Sequence, residues 1–443
     1  MRLKPDELRI TDVRFCDIDG MPKRCTLIKV YTNQEGLVGY GEVRDAATKT
    51  YAAMLKSRLL QENPLNVDKL FRRIRQFGYH SRQGGGVSGI EVALWDIAGK
   101  YWGVPCWQLL GGRYRDRVRI YCDTDVEGRH TGHDMGLALK KRMESGFTFL
   151  KMDLGIGLLM DEPGTLTAPL GFLDEMRQNA RTSFDPPRGS VPFQELSQKA
   201  YEIKTIAHPF TGIRLTEKGL DMLEDYVSEV RAVTGYDVPI AIDHFGHVCV
   251  EDCIRFARRM EKYNLAWMED MVPWIYPDQL ARLRASTTVP VCTGEDIYGT
   301  EAFEALMQKG AVSVIHPDVL TAGGMLETKK IGDLAEKYGV AVALHMAESP
   351  IGMMAAVHAA AAIPQLMAVE FHSVDVPYWQ DTVKGLDRPL ISDGFIRVPD
   401  APGLGIESLN EEFISTLISK EIPGQWEETS QWDTDISNDR IWS

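Results

Sequence analysis

The chain has too few basic residues for a nucleic-acid or anionic-membrane partner, because both partners require a basic surface. Its 49 Lys and Arg residues stand against 63 Asp and Glu residues, which gives a formal net charge of −14. No apolar run approaches the roughly 20 residues of a membrane span. The opening segment MRLKPDELRITD also lacks the apolar core of a signal peptide. We therefore expect a cytoplasmic protein that binds neither nucleic acid nor membrane.

The seven cysteines are scattered, and they lack the spacing of a zinc site. Cys249 and Cys253 fall one helical turn apart, but no second pair completes a ligand set. We expect all seven to be reduced packing residues. The 443 residues, of which 44% are apolar and 25% charged, are typical of a globular protein with room for two domains.

Residues 1–115 are predicted to form an α+β domain. Segment 8–43 predicts three strands, because LRITDVRFCDI alternates in polarity and TLIKVYTNQEGLVGYGEV is typical of a hairpin that turns at 33–36. Helical patterns follow over about 49–76 and 89–110, and the second ends at a Gly pair.

From residue 116 the pattern changes to regular alternation of strands and helices, which favours a closed β/α barrel over 116–385. An open doubly wound sheet is less favoured, since no GxGxxG fingerprint is present. The candidate strands are 118–123, 147–153, 238–243, 265–270, 289–295, 311–318, 340–346 and 366–371.

One interval between strands is irregular. The second and third predicted strands end 90 residues apart, whereas the other strand ends are about 23 to 30 apart. The surplus is an insertion at about 156–217 that is rich in Pro and Gly. Because an insertion after a barrel strand lies on the catalytic rim, we expect a lid, with a surface elaboration or subunit contact as the alternative.

Three carboxylates stand at the ends of consecutive predicted strands, and steps of 26 residues separate Asp243, Glu269 and Glu295. One strand, one loop and one returning helix take about that many residues, so the three side chains should converge on one rim. Each pair would repel by roughly 4 kcal/mol at 4 Å and an effective dielectric constant of 20. A divalent cation relieves such repulsion, and oxygen ligands favour Mg²⁺ or Mn²⁺.

Other strand ends also carry polar residues, which predicts an active site on this rim. Alternation points Lys151 and Asp153 to the same side of the second strand. The remaining candidates are His244 and His247 after the third strand, His316 and Asp318 on the sixth, His345 on the seventh and Glu370 on the eighth.

These motifs together resemble the enolase superfamily, in its mandelate racemase-like subgroup of acid-sugar dehydratases and racemases. The resemblance covers roughly residues 8–410. It rests on GIEVALWDIAGKYWGVPCWQLLGG, the carboxylate triplet, Asp318 before Gly323-Gly324, and His345 on the next strand. It implies a modified TIM barrel of (β/α)₇β type with an N-terminal α+β capping domain, and a C-terminal segment, 386–443, that returns to the cap. It also implies Mg²⁺, removal of a proton α to a carboxylate, and a homo-oligomer.

The same resemblance suggests roles for the remaining residues. His345 is the candidate base and Asp318 orients its imidazole, while Glu370 would hydrogen-bond the substrate carboxylate or the enediolate. Asp270 and Asp296 directly follow two of the ligands, so alternation points them away from the metal. Some relatives carry an acidic His two residues after the first ligand, but that position is Phe245 here, so we expect His244 or His247 to contact substrate instead.

The second strand departs from the racemase pattern. Racemases of the subgroup carry Lys-x-Lys, whose second Lys is a base, but Asp153 occupies that position here. Lys151 remains available to bind the substrate carboxylate or to pair with Asp153. We therefore predict a Mg²⁺-dependent dehydratase that converts an aldonate or aldarate to a 2-keto-3-deoxy acid. A racemase, epimerase or cycloisomerase is the alternative, followed by a non-catalytic ligand-binding homologue.

Overall fold

The computed structural model describes residues 2–45, 47–79, 84–126, 130–159, 162–167, 214–243 and 248–434. Two predicted site residues, His244 and His247, lie outside these ranges, as does most of the predicted insertion. Where the insertion leaves and rejoins the described chain, the amide of Thr167 donates to the carbonyl of Arg214 at 3.0 Å. The predicted role of the insertion as a lid stays a prediction.

An antiparallel sheet of three strands and the helices beside it form the N-terminal cap. The sheet has the order β1-β2-β3. Its strands are β1 (Ile10–Ile18), β2 (Cys25–Thr32) and β3 (Val38–Val43), and the helices are α1 (Thr50–Ala53), α2 (Val67–Ile74), α3 (Gly84–Trp102) and α4 (Cys106–Leu109).

Glycine allows α3 to lie directly on β3. A Cβ atom added at Gly41 of β3 would come 2.1 Å from the carbonyl oxygen of Gly89 in α3, far inside the contact distance of real Cβ atoms. Gly39 is equally close to the carbonyl of Ala93. The strand and the helix therefore touch through their backbones, which fixes the position of the residues that follow β3.

Eight parallel strands in the described residues close into a barrel, because β11 pairs back with β4. A helix follows each of the first seven strands, so the predicted (β/α)₇β fold is confirmed. The strands are β4 (Arg117–Thr124), β5 (Leu150–Asp153), β6 (Ile240–Asp243), β7 (Met268–Glu269), β8 (Val291–Thr293), β9 (Val314–Ile315), β10 (Ala341–Leu344) and β11 (Leu366–Phe371). The helices are α5 (Gly132–Glu144), α6 (Glu217–Thr234), α7 (Val250–Met260), α8 (Pro277–Ala285), α9 (Thr300–Gln308), α10 (Met325–Tyr338) and α11 (Pro350–Ala362).

The barrel strands place a mostly apolar layer inside and a polar layer nearer their carboxyl ends. The lower layer is a cluster of Tyr121, Phe149, Ala241, Trp267, Cys292, Val314, Ala343 and Ala368. Because strand side chains alternate with period two, residues two positions later point to the same interior. These are Asp123, Lys151, Asp243, Glu269, Gly294, His316, His345 and Glu370. Seven of these eight positions carry a polar side chain. The same alternation therefore places both the apolar core and the polar rim above it.

The C-terminal segment returns to the cap. It follows β12 (Val383–Lys384) and contains β13 (Phe395–Arg397), β14 (Ser408–Leu409) and α12 (Glu411–Leu417), and β13 adds antiparallel to β4. Beyond α12, Ile418 bridges to Ile18 and Gln425 to Cys16 of β1. The C-terminal segment therefore completes the cap, as predicted, while the exact domain bounds of 1–115, 116–385 and 386–443 stay predictions.

Two carboxylates of the cap bind the N-termini of barrel helices. Glu91 of α3 accepts hydrogen bonds from the first amides of α10, those of Met325 (2.8 Å) and Leu326 (3.0 Å). Glu42 of β3 accepts from the amide and hydroxyl of Ser349, the N-cap of α11, and from the amide of Gly352. The unpaired amides of a helix N-terminus favour such a partner, so both contacts anchor the cap to the barrel.

The seven cysteines are free thiols and all are buried, as the sequence predicts. Among the described residues, no helix is both long enough and apolar enough to cross a membrane.

Candidate active site

Lys151 lies at the centre of the polar layer, where its ammonium is surrounded by carboxylates. Its Nζ is 2.6 Å from Asp243, 2.6 Å from Glu370 and 3.3 Å from Glu269. Only 1% of the side chain is exposed. Burial disfavours the charge, but the three carboxylates raise the pKa of Lys151 well above its usual value. Lys151 therefore holds three strand ends together, and its predicted contact with substrate or Asp153 stays a prediction.

His316 extends this network below the rim. Its Nδ1 lies 2.9 Å from Glu269, and its Nε2 lies 3.3 Å from Glu370 and contacts the hydroxyl of Tyr121. Burial disfavours the imidazolium, yet Glu269 and Glu370 raise the pKa of His316 to about 10. The imidazolium is completely buried, so it balances the charge of the carboxylates without facing a ligand.

The predicted pair of His345 and Asp318 is present. Nδ1 of His345 lies 2.6 Å from Oδ2 of Asp318, and Nε2 lies 3.0 Å from Oε2 of Glu295. Because the Asp318 carboxylate can only accept, Nδ1 donates to it and Nε2 is the basic nitrogen that faces the rim. The neighbouring strands β9 and β10 produce this pairing, since Asp318 and His345 form a parallel bridge.

Arg44 reaches this pair from the cap. Its guanidinium contacts Asp318 and lies 2.9 Å from Nδ1 of His345. The same group contacts Asp45 and lies 3.3 Å from Glu348. Burial and the Arg44 charge hold the pKa of His345 well below its usual value, so the imidazole is neutral.

The carboxylates of Asp243, Glu269 and Glu295 provide the oxygen ligands that Mg²⁺ requires. Burial raises the pKa of Glu295 to about 7, and Asp243 and Glu269 add to this effect while Arg44 opposes it. The site thus has an excess of negative charge that a divalent cation would relieve, and the donor set fits the predicted metal.

The side chains of the triplet are not drawn together around one point. In the described part of the chain, the groups with ligand atoms all within 4.8 Å of one another are Glu269 with Cys292 and His316, and His345 with Glu370 and His372. Asp243 instead contacts Lys151, and Glu295 contacts His345. The metal role of the triplet stays a prediction.

The remaining predicted residues occupy different environments. Asp153 is exposed at the end of β5, beside Asp243 in the strand register. Asp270 has a left-handed backbone with φ of 47° and accepts a hydrogen bond from the Thr293 hydroxyl at 2.6 Å. Burial and the charges of Glu295, Glu269 and Asp243 raise the pKa of Asp270 well above its usual value. Asp270 is therefore electrostatically coupled to the triplet, although alternation alone points it away.

The sequence reasoning missed Asp123 and His372 on this rim, Tyr121 in the layer below it, and the contact of Arg44 with His345. His372 and Asp123 lie 3.1 Å apart, and Tyr121 donates to Glu370 at 2.8 Å. The period of two predicts His372 beside Glu370 and Asp123 above Tyr121, so a signal was present. Arg44 carries no such local signal, because its role depends on how the cap sits on the barrel.

Both halves of the chain match known families. Residues 21–111 match the mandelate racemase / muconate lactonizing enzyme N-terminal domain, and residues 195–412 match the enolase C-terminal domain-like family. D-xylonate dehydratase of Haloferax volcanii is 33% identical over 409 residues, which cover 90% of this chain and 87% of that protein. The chain belongs to the enolase superfamily. Within that superfamily it is mandelate racemase-like, as the sequence predicts.

Similarity to other members of the enolase superfamily supports this assignment. D-galactonate dehydratase of Ralstonia pickettii is 27% identical, and the match covers 91% of this chain and 93% of that protein. The crystal structure of a mandelate racemase/muconate lactonizing enzyme-like protein from Rubrobacter xylanophilus has a TM-score of 0.75 at 30% identity, covering 94% of this chain and 98% of that one. The curated relatives are dehydratases, which confirms the predicted enzyme class of hydro-lyase. Cytoplasmic location and a homo-oligomer stay predictions.

Proposed function

We propose that this protein is a Mg²⁺-dependent dehydratase of an aldonate or aldarate, with a 2-keto-3-deoxy acid as product. The observation that carries the proposal is the combination of one His–Asp base with a carboxylate-rich rim. His345 and Asp318 stand beside Glu295, and Lys151 and Glu370 stand with Asp243 and Glu269 on the adjoining strands. Two relatives that act on D-xylonate and D-galactonate support the substrate class.

His345 is the base in this proposal. A carboxylate partner on Nδ1 fixes the tautomer, so Nε2 points its lone pair toward the rim. Arg44 and Asp318 hold the ring from below, and 5% of the His345 side chain is exposed. Nε2 of the imidazole thus faces the rim beside Glu295, where a ligand would bind.

The charge that develops on the substrate needs a positive environment. Removing a proton α to a carboxylate places two negative charges on its oxygens, and Mg²⁺ or Mn²⁺ on the carboxylate triplet would stabilise that charge. The chain itself supplies Lys151, whose ammonium pairs with Asp243 and lowers the pKa of Glu370, which keeps Glu370 ionised. Asp153, His244 and His247 are proposed to contact substrate hydroxyls, with Asp153 exposed on the rim.

The absence of a second Lys on β5 favours elimination over racemisation. A racemase needs a base on each face of the α-carbon, and Asp153 stands where the second base would be. In an elimination, the electron pair of the broken C–H bond forms a C=C bond, the β-hydroxyl leaves as water, and the enol becomes a keto group.

Replacing the base tests this proposal. The His345→Asn variant should lose formation of 2-keto acid from a library of mono- and diacid sugars by at least about 10³-fold, because general-base catalysis supplies rates of that order. Keto-acid assays on the library measure the loss, and calorimetric titration with Mg²⁺ should give unchanged affinity. Normal turnover by the variant would contradict the base assignment. Deuteration of the α-carbon in D₂O without keto acid in the wild type would instead indicate a racemase or epimerase.

A further inference from the structure

A second His–Asp pair lies next to the first on the rim. Nδ1 of His372 is 3.1 Å from Oδ2 of Asp123, and its ring centroid is 5.7 Å from that of His345. Asp123 ends the barrel strand β4, and His372 follows β11, which pairs with β4. His345 follows β10, which pairs with the other edge of β11, so the two histidines stand side by side on adjacent strands.

His372 is open to the rim, unlike the other histidine of this network. Its side chain is 19% exposed, whereas His316 is completely buried between Glu269, Glu370 and Tyr121. Nε2 of His372 lies 3.1 Å from Oε1 of Glu370, but among the described residues it makes no aligned hydrogen bond. This nitrogen has a proton to donate, and Glu370 stands near it without accepting an aligned hydrogen bond.

The surroundings of His372 favour the imidazolium. Burial opposes the charge, but Asp123 and Glu370 raise the pKa of His372 well above its usual value. Both histidines have a carboxylate at each ring nitrogen, but Arg44 also stands beside the ring of His345. Two adjacent imidazoles whose surroundings favour different charges are the arrangement expected of an acid and a base.

We propose that His372, oriented by Asp123, is the catalytic acid that protonates the leaving β-hydroxyl. This inference rests on the proposed dehydratase function and deepens it. His345 takes the α-proton, and the C–H electron pair moves toward the carboxylate to give the enediolate. That electron pair then forms the C=C bond between the α- and β-carbons, and the C–O bond breaks with its electron pair on oxygen. The proton on Nε2 of His372 goes to that oxygen, so water leaves, and His372 regains a proton from solvent.

The positions of the two rings also set the stereochemistry. His345 and His372 lie on adjacent strands of one side of the rim, so both address the same face of a bound substrate. The α-proton and the β-hydroxyl therefore leave from that face. The reaction is a syn elimination, in which separate residues serve as acid and base.

The test uses the full chain with Mg²⁺ and the acid sugar that the wild type dehydrates. The His372→Asn variant should form keto acid about 10²- to 10⁴-fold more slowly. It should still exchange the α-proton with D₂O, because His345 is intact. From the 3-deoxy-3-fluoro analogue of the substrate, the variant should eliminate fluoride at a rate within about tenfold of wild type. Fluoride is a good leaving group and departs without being protonated by an acid. The His345→Asn variant should lose all three activities.

Asp123→Asn provides the matched control for orientation. It keeps the size of the side chain but removes the charge beside Nδ1, so it should lower dehydration less than His372→Asn and also preserve exchange. Loss of exchange together with dehydration in His372→Asn would overturn the inference, as would full dehydration by that variant. A wild type that forms keto acid from no acid sugar would overturn the proposed function and this inference together.

Discussion

At the scale of single residues, neighbours determine what each carboxylate of this site does. Lys151 and His372 hold the pKa of Glu370 well below its usual value despite its burial. Burial and two other carboxylates raise the pKa of Glu295 to about 7. Glu370 and Glu295 have the same side chain and share one rim. Glu370 is nevertheless a fixed anion, whereas a cation would stabilise the charged form of Glu295. The chemistry of such a site therefore follows from contacts across strands.

Glu42 of the cap gives a prediction about stability and pH. Burial raises its pKa to about 7 from 4.5, although hydrogen bonds from Ser349 and Gly352 oppose the shift. Between these two values the folded state holds a proton that the unfolded state has lost, so stability falls as the pH rises. The loss should approach 3 kcal/mol by about pH 8. In the Glu42→Gln variant, urea midpoints measured from pH 4.5 to 8.5 should depend less on pH than those of the wild type. Parallel profiles for the two proteins would contradict the raised pKa.

The rim residues show how much of the site can be predicted from the sequence alone. Asp318 and His345 could be paired from their spacing, because neighbouring parallel strands bring their ends together. The same logic was available for Asp123 and His372, because a closed barrel places the last strand beside the first. The contact of Arg44 with His345 could not be predicted, since 301 residues separate the two and only the docking of the cap joins them. Lys151 was predicted as a residue of the site, but its burial among three carboxylates depends on side-chain packing.

At the scale of elements, helix N-termini join the two parts of the molecule. Glu91 of α3 serves as the acceptor for the first amides of α10, and it also accepts a bond from Trp95 at 2.7 Å. The strands and helices themselves were predictable from their periodicity. These long-range caps were not, because Gly324, the N-cap of α10, has no side chain to mark the start of the helix.

Glu91→Ala should therefore destabilise the protein more than the loss of an ordinary cap. It leaves buried amides of α10 and the indole of Trp95 without an acceptor, which should cost about 3 kcal/mol. Thr131→Ala, which removes the side-chain cap of the exposed start of α5, is the matched control and should cost about 1 kcal/mol. Guanidinium denaturation of both variants measures the difference. Equal losses would show that Glu91 contributes no more than a surface cap.

At the scale of the whole molecule, the C-terminal segment closes the cap. Nζ of Lys56 lies 2.6 Å from Asp433 and 2.9 Å from the hydroxyl of Thr429, while only 4% of its side chain is exposed. Trp426 also donates its amide to the carbonyl of Phe15 in β1. The two ends of the chain thus share one small core with a buried cation at its edge.

A chain that ends after Gly424 should lose about 3 kcal/mol of stability, because among the described residues Lys56 then keeps only Asp12 as a charged partner. Lys56→Met should destabilise the full chain but stabilise the shortened one, since there it removes a buried charge that has lost one of its two carboxylates. Thermal unfolding of the full and shortened chains, each with and without Lys56→Met, measures whether the effect of the substitution on stability changes sign. A chain that ends after Thr434 keeps Asp433 and Thr429 as partners of Lys56, so Lys56→Met should destabilise it as it does the full chain. The same effect of Lys56→Met in both backgrounds would contradict the role of the segment.

Because all seven thiols are buried, a fluorescent label can be directed to the rim of the protein in solution. Burial raises the pKa of Cys16 and of Cys122 to about 12, so neither offers a thiolate to an alkylating dye at neutral pH. A cysteine introduced at Asp153, which is exposed beside the third barrel strand, would be labelled in preference to the native ones. The natural sequence is thus a ready background for attaching a single fluorophore where a ligand would arrive.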